Sequence, residues 1–314
     1  MAVNHRHLID ITEYSADDIM LVLETAVKFR EVNERKIKKV PTLKGFTVVN
    51  MFNEPSTRTR SSFEIAEKRL SCDSLNFGGS STSAVKGESL VDTVETLCSY
   101  KIDMVIVRDK HAGVPRLIAD VSGAHVIDAG DGKHQHPTQA LLDLYSIWEK
   151  KGDLAGLKVG VVGDIGHSRV CGSLIPALKI MGCEVTVIAP PTLMPARPDV
   201  LGADHVTSNF DEALPELDVV YMLRIQRERL EGAPYPSLRE YNQLFGLTKE
   251  REPLMKPDAI ICHPGPINRG VELDSYMADH PNRSVILDQV YAGILTRMAE
   301  MYLLLGGSED GLTA

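Results

Sequence analysis

The chain has 314 residues, about twice the length of a typical domain, so we expect two domains. Hydrophobic residues make up 43% and charged residues 25% of the sequence, which excludes a disordered or fibrous chain. The net charge of −9 argues against a nucleic-acid partner. No apolar run approaches the ~20 residues of a membrane helix and no signal peptide is recognisable, so we expect no membrane partner and a cytoplasmic location. The five scattered cysteines favour reduced thiols.

Helical and strand-like segments alternate along the chain. The first helix is predicted behind Ser15, a capping residue with Asp18 three positions further on. Seven short β-branched runs follow at Thr47–Phe52, Met104–Val107, His125–Ile127, Lys158–Val162, Glu184–Ile188, Val219–Leu223 and Ala259–Ile261. Most are apolar at successive positions, which is typical of strands buried on both faces of a parallel sheet. The pattern predicts an α/β fold with two doubly wound domains, each a mainly parallel sheet flanked by helices, joined by long helices.

The domain boundary is expected near Gly152. A long helical pattern runs from Pro137 to Lys150, and a new strand begins at Lys158. We therefore assign residues 1–150 to the first domain and 151–288 to the second. The last helix starts at about Gln289, and we expect the segment 289–314 to pack back on the first domain.

A dense polar cluster, Ser-Thr-Arg-Thr-Arg at 56–60, follows the first strand and precedes a helical pattern over Ser61–Leu70. Backbone N–H groups, hydroxyls and guanidinium groups at a strand-to-helix turn are what a phosphate needs. The alternative is an ordinary helix cap with a solvated basic first turn. Arg58 and Arg60 oppose the helix dipole at this end, which favours the anion site.

A glycine- and serine-rich stretch over 78–89 carries one cation, Lys86. A P-loop is excluded because Gly87 follows the lysine where Ser or Thr would be required. The stretch is either a functional loop that carries a cation or a plain surface linker.

Two histidines, His134 and His136, precede the helix that starts at Pro137. A metal pair is one interpretation, but no acidic or cysteine ligand set accompanies them, so we predict no metal. A neutral histidine that donates a hydrogen bond to a substrate oxygen is the functional alternative to a helix-capping histidine. Arg108, at the end of its strand, is a second candidate for binding an anion.

The second half opens with Gly160, Gly163 and Gly166, whose spacing differs from the dinucleotide fingerprint. The next strand also lacks an acidic ribose acceptor at its end, so we predict no nicotinamide and no other cofactor. Arg224 and Gln226 lie two residues apart after a strand, which suits a receptor for a carboxylate.

Taken in order along the chain, six motifs resemble the aspartate/ornithine carbamoyltransferase family. They are Ser56–Arg60, Lys86–Glu88, His136–Gln139, Gly163–Arg169, Arg224–Arg229 and His263–Pro266. Arg224-x-Gln226 and the His-Pro-Gly-Pro turn resemble the aspartate branch. The ornithine enzymes carry a His-Cys-Leu-Pro turn and a Ser-Met-Gly loop, and neither occurs in this sequence.

The resemblance implies that carbamoyl phosphate binds first, through Ser56, Thr57, Arg58, Thr59 and Arg108. The residues that would polarise its carbonyl oxygen are His136, Arg108 and Thr59. Those near its amide nitrogen are Gln139 and the carbonyl groups of Pro264 and Gly265. Arg58 would stabilise the departing phosphate.

The same resemblance implies that L-aspartate places its α-carboxylate on Arg169 and its side-chain carboxylate on Arg224 and Gln226. Carbamoyl transfer to its amine would yield N-carbamoyl-L-aspartate in pyrimidine biosynthesis. Lys86 and a nearby serine, Ser83, would reach a neighbouring subunit, so the expected assembly is a homotrimer with shared active sites. Regulatory chains or a dihydroorotase are further candidate partners.

Three other functions compete with this interpretation. One is a carbamoyltransferase for a different amine, against which Arg224 and Gln226 argue. Another is a non-enzymatic sensor of a phosphate metabolite, which would not need both His136 and the acceptor arginines. The third is a metal-dependent amidohydrolase that uses His134 and His136.

Overall fold

The computed structural model describes residues 5–77, 88–226 and 237–306. They form two compact units, one within Met1–Leu142 and Val290–Ala314 and the other within Asp143–Gln289. Each unit holds one parallel sheet with helices between its strands, which confirms the predicted fold class. The division falls inside the helix Pro137–Lys151, whereas the sequence placed the boundary near Gly152. The assignment of one substrate to each domain stays a prediction.

The sheet of the first unit has four parallel strands in the order β2-β1-β3-β4. The strands are β1 (Thr47–Phe52), β2 (Asp73–Phe77), β3 (Met104–Asp109) and β4 (His125–Asp131). The helices that begin in this unit before the second sheet are α1 (Ala16–Glu34), α2 (Thr57–Leu70), α3 (Leu90–Ser99), α4 (Val114–Ser122) and α5 (Pro137–Lys151). β1 is buried almost throughout, as the apolar run predicted.

The second sheet has five parallel strands in the order β7-β6-β5-β8-β9. They are β5 (Lys158–Val162), β6 (Glu184–Ile188), β7 (His205–Thr207), β8 (Val219–Met222) and β9 (Ile260–Cys262). The α-helices of this part of the chain are α6 (Arg169–Ile180), α7 (Phe210–Ala213), α8 (Leu238–Phe245) and α9 (Ser275–Ala278). The chain then enters α10 (Ile286–Leu304).

The start of α1 follows the sequence prediction. The Ser15 hydroxyl accepts the Asp18 backbone N–H at 3.1 Å, and the Asp18 carboxylate accepts the Ser15 backbone N–H at 3.0 Å. This reciprocal arrangement satisfies donors at a helix end that would otherwise lack partners.

All five cysteines are free, as expected. Burial raises the pKa of Cys171 and of Cys183 to about 12, so both thiols stay protonated and serve as packing groups. In the described part of the chain, none of the helices combines the length and the apolar character needed to cross a membrane.

Candidate active site

In the first unit, candidate residues collect where β1 and β3 end. Arg108 pairs in register with Phe52, the last residue of β1. The Arg108 guanidinium lies 3.5 Å (Nε to Oε2) from the Glu54 carboxylate, and its Nη1 donates to the carbonyl of Ala129 at 3.0 Å. These two contacts fix the direction of a largely buried arginine. The sequence did not predict its ion pair with Glu54.

The Ser-Thr-Arg-Thr-Arg cluster forms the N-terminus of α2. The helix begins at Thr57 rather than at Ser61, so four of these residues lie in its first turn. Ser56 is the N-cap residue, but its side chain makes no capping hydrogen bond. Arg58 is exposed and Thr59 is buried. The Ser56 side chain leaves the N–H groups of the first turn uncapped, and the neighbouring Arg58 is exposed. This arrangement suits a phosphate.

Arg60, two residues after Arg58, forms an ion pair on the surface of α2. Its Nε lies 2.9 Å from the Glu64 carboxylate one turn along α2. Such exposed i,i+4 ion pairs contribute only a few tenths of a kcal/mol to helix stability, roughly 0.3–0.5. Arg60 therefore belongs to the surface of the helix, and it provides a matched control for Arg58.

A buried polar contact holds α2 against β1. The Asn50 amide donates to the Glu67 carboxylate at 2.8 Å, and both side chains are almost fully buried. Burial raises the pKa of Glu67 to about 7, and the hydrogen bond from Asn50 opposes that rise. The contact fixes the helix whose first turn carries the Ser-Thr-Arg-Thr-Arg residues.

The two histidines of the loop before α5 differ in their surroundings. His136 is buried, with Nδ1 3.3 Å from the Thr138 hydroxyl, and its carbonyl accepts the Gln139 backbone N–H at 3.0 Å. His134 is exposed, and its Nδ1 lies 2.9 Å from the Asp131 carboxylate. Over residues 5–77, 88–226 and 237–306, no group of three or more His, Cys, Asp and Glu side chains is arranged to hold a metal ion.

In the second unit, Asp164 connects the ends of β5 and β8. Its fully buried carboxylate contacts His167 Nδ1 at 2.7 Å and accepts the Gln226 backbone N–H at 3.2 Å. Gly163 precedes it with φ +127°, and a Cβ atom there would lie 2.9 Å from the Leu223 carbonyl oxygen. Glycine is thus required at this turn. The sequence motif contained Asp164, but we assigned it no role.

Arg224 and Gln226 follow the end of β8, with one residue between them. Both are half-buried, whereas Ile225 between them is fully buried, so the predicted alternation holds. Arg169 is the first residue of α6, and it is also buried. Within this unit, two carboxylate-binding candidates therefore follow the carboxyl ends of neighbouring strands.

The His-Pro-Gly-Pro turn follows β9. His263 is buried, Gly265 has φ +66°, and the Gly265–Pro266 peptide bond is cis. The sequence predicted a rigid turn here without deciding the isomer. Pro264 and Gly265 lie between His263 and the cis peptide bond, and the contact of their carbonyl groups with a substrate stays a prediction.

A buried network supports this end of the second sheet. Tyr221 donates to one oxygen of Asp143 at 2.6 Å, and the Gln289 amide donates to the other at 2.7 Å. Burial and the charge of Asp143 raise the pKa of Tyr221, so it stays a donor. The Gln289 side-chain oxygen then accepts the backbone N–H of His263 at 2.9 Å. No local sequence signal identifies these long-range partners.

The site residues predicted from the sequence are thus divided between the two units, and two of them lie outside the described residues. The first unit holds Ser56, Thr57, Arg58, Thr59, Arg108, His136 and Gln139. The second holds Arg169, Arg224, Gln226, Pro264 and Gly265. Ser83 and Lys86 lie outside the described residues.

Comparison with known proteins gives the family. Residues 6–149 match the model of the carbamoyl-P binding domain of aspartate/ornithine carbamoyltransferases, and residues 155–304 match that of their Asp/Orn binding domain. The chain belongs to the aspartate/ornithine carbamoyltransferase family. Within this family it is 51% identical to the aspartate carbamoyltransferase catalytic subunit of Syntrophotalea carbinolica, with 98% of each chain covered.

Solved structures of the family agree in fold. Aspartate transcarbamoylase from Trypanosoma cruzi in complex with carbamoyl phosphate and aspartate is 28% identical, with a TM-score of 0.85 over 94% of this chain and 95% of that one. The same enzyme in complex with N-(phosphonacetyl)-L-aspartic acid is 28% identical, with a TM-score of 0.83 over 94% of each chain.

Proposed function

We propose that this chain transfers the carbamoyl group of carbamoyl phosphate to the amino group of L-aspartate. The products are N-carbamoyl-L-aspartate and phosphate, and the reaction belongs to de novo pyrimidine biosynthesis. Full-length similarity to aspartate carbamoyltransferase catalytic subunits supports the reaction. The observation that carries the assignment of residues is the convergence of Arg108 and the first turn of α2 at one end of the first sheet.

We assign the phosphate group to the α2 turn and to Arg108. The residues are Ser56, Thr57, Arg58, Thr59 and Arg108. Helix N–H groups and guanidinium groups supply charge-assisted hydrogen bonds to phosphate oxygens. The contacts of Arg108 with Glu54 and with the Ala129 carbonyl support this role, because an arginine oriented in advance loses less side-chain entropy when the ligand binds.

We assign the carbamoyl group to a second set of donors and acceptors. His136, Arg108 and Thr59 donate to its carbonyl oxygen, which makes the carbon more electrophilic and stabilises negative charge on the oxygen in the transition state. Gln139 and the carbonyl groups of Pro264 and Gly265 accept from its amide nitrogen. The burial of His136 supports its role as a donor to this oxygen. In surroundings of low dielectric constant, a hydrogen-bond donor interacts more strongly with the negative charge that develops on the oxygen.

L-aspartate is assigned to the second unit, with its α-carboxylate on Arg169 and its side-chain carboxylate on Arg224 and Gln226. The neutral amine attacks the carbamoyl carbon, a C–N bond forms, and the C–O bond to phosphate breaks. The amine gives up a proton to an oxygen of the departing phosphate, and Arg58 stabilises the charge that remains on this phosphate. This strategy relies on positioning and electrostatics and forms no covalent intermediate with the enzyme.

The proposed assembly is a cytoplasmic homotrimer. Lys86 and Ser83 of one subunit contribute to the active site of the next, as in the family that the sequence resembles. Regulatory chains or a dihydroorotase, as additional partners, stay predictions.

The function is tested by colorimetric measurement of carbamoyl aspartate, with ornithine as a control acceptor. We expect product with aspartate and none with ornithine. Arg58→Ala is expected to lower kcat by ~10²–10³, the usual loss when a donor to transition-state charge is removed. Arg60→Ala, in the same turn of α2, is expected to retain nearly full activity, because Arg60 pairs with Glu64. Equal losses in the two variants would refute the role of Arg58.

A further inference from the structure

His263 is buried at the start of the His-Pro-Gly-Pro turn, and both its ring and its backbone form hydrogen bonds. Its Nδ1 accepts the backbone N–H of Gly265 at 2.8 Å, and its Nε2 lies 3.3 Å from Oε1 of Glu272. Its own backbone N–H donates to Gln289. Both ring nitrogens are therefore engaged, one with the turn and one with a carboxylate.

These contacts determine where the ring carries its proton. Nδ1 accepts a hydrogen bond from an amide, so it has a lone pair and no proton. The proton of the imidazole is then on Nε2, where it is donated to the Glu272 carboxylate. His263 is thereby a neutral histidine in a single tautomer.

Glu272 connects this histidine with the segment assigned to aspartate. The same oxygen, Oε1, accepts the backbone N–H of Asn268 at 2.6 Å. The Asn268 side chain donates to the carbonyl of Ile225 at 3.3 Å, and Ile225 lies between Arg224 and Gln226. The side chains of His263 and Glu272 are both fully buried. A buried carboxylate that loses a donor is costly, so Glu272 holds the ring firmly in one orientation.

We propose that His263 is a positioning residue: oriented by Glu272, its Nδ1 holds the Gly265 N–H and so directs the Pro264 and Gly265 carbonyls to the carbamoyl amide of the substrate. The inference rests on the proposed function, which assigns these two carbonyls to the amide nitrogen. His263 itself touches no reacting atom. Its effect is on recognition of the carbamoyl group and not on recognition of phosphate.

Two substitutions separate the two ring nitrogens. His263→Asn keeps an acceptor near the position of Nδ1, and His263→Gln keeps a donor near the position of Nε2. We expect His263→Asn to keep kcat/KM for carbamoyl phosphate within about tenfold of the wild type. We expect His263→Gln to lower it about a hundredfold, because the Gly265 N–H loses its acceptor.

The decisive measurement compares the affinity for carbamoyl phosphate with the affinity for inorganic phosphate in the full-length protein. Inorganic phosphate lacks the amide, so its dissociation constant is expected to stay unchanged in both variants while that of carbamoyl phosphate rises in His263→Gln. A parallel loss of both ligands, or equal affinities for carbamoyl phosphate in Asn and Gln variants, would overturn the inference.

Two further measurements keep the result interpretable. Arg108→Ala is expected to weaken both ligands, and an unchanged phosphate affinity in that variant would refute the proposed phosphate site without bearing on His263. If the His263 variants do not fold, the ¹⁵N chemical shifts of the His263 ring in the wild type decide. A protonated Nε2 with an unprotonated Nδ1 supports the inference, whereas the opposite tautomer or a doubly protonated ring overturns it.

Discussion

Glu300 in α10 allows a sharp prediction about how stability depends on pH. Its side chain is buried, and neither carboxylate oxygen has a hydrogen-bond partner among the described residues. Burial raises the pKa of Glu300 from 4.5 to about 8, against the opposing charge of Arg297 one turn earlier. Between these two pH values, the native state holds a proton that the unfolded state has released.

The sign and size of the effect follow from that proton. The unfolding free energy falls as pH rises from about 4.5 to about 8, because the native state binds more protons than the unfolded state. A pKa shift of this size lowers the unfolding free energy by roughly 5 kcal/mol at most, because each pKa unit corresponds to ~1.4 kcal/mol. The variant Glu300→Gln carries a neutral amide of the same shape, so it removes this dependence of the unfolding free energy on pH.

The assay is urea unfolding of wild type and variant at one protein concentration, at several pH values from 4.5 to 9. We expect the two unfolding free energies to agree near pH 4.5 and the variant to become more stable by several kcal/mol at pH 8 and above. Glu24→Gln, at an exposed position of α1, is the control and is expected to change little. A stability difference that is independent of pH, or that grows toward acid, would refute the reasoning.

Three other predictions concern the fold and the site. Tyr221→Phe leaves the buried Asp143 carboxylate with one donor fewer, and we expect the unfolding free energy to fall by ~1–3 kcal/mol in the same urea experiment. Arg224→Ala should raise KM for aspartate far more than KM for carbamoyl phosphate in steady-state kinetics; equal increases would contradict its assignment. Mixing inactive Lys86→Ala chains with inactive Arg58→Ala chains should restore part of the activity after verified subunit exchange, and no recovery would count against shared sites.

Much of the fold could be predicted because buried parallel strands have a strong local signal. β5 and β6 have the predicted bounds, since every residue of their apolar runs fits the sheet. β2 (Asp73–Phe77) and β7 (His205–Thr207) were missed. Both are edge strands with exposed positions, so they lack the continuous apolar run on which the prediction depended.

Strand and helix ends were harder to predict than the strands themselves. β3 continues through Arg108 to Asp109, and β4 continues to Asp131, because polar side chains at the carboxyl ends still extend the ladder. The first turn of α2 was also placed outside the helix. This turn is helical although its side chains are hydroxyls and arginines. It contains no apolar residues at helical spacing, so the sequence pattern did not predict a helix there.

The motif residues of the site could be identified from the sequence, but the groups that orient them could not. Arg108 was found as a residue at a strand end, whereas its partner Glu54 is far from it in sequence. The pairing of His263 with Glu272 depends on a turn whose shape is not encoded in any short pattern. Such partners are determined by tertiary contacts, which a single sequence does not reveal.

The central claim is that arginines of the first unit bind the phosphate and arginines of the second bind the aspartate. The most direct test is a crystal structure of this protein with N-(phosphonacetyl)-L-aspartic acid, a ligand that carries both kinds of group. We predict the phosphonate within hydrogen-bond distance of Arg58 and Arg108, and the two carboxylates on Arg169 and Arg224. Guanidinium groups that face away from the bound ligand would contradict the account.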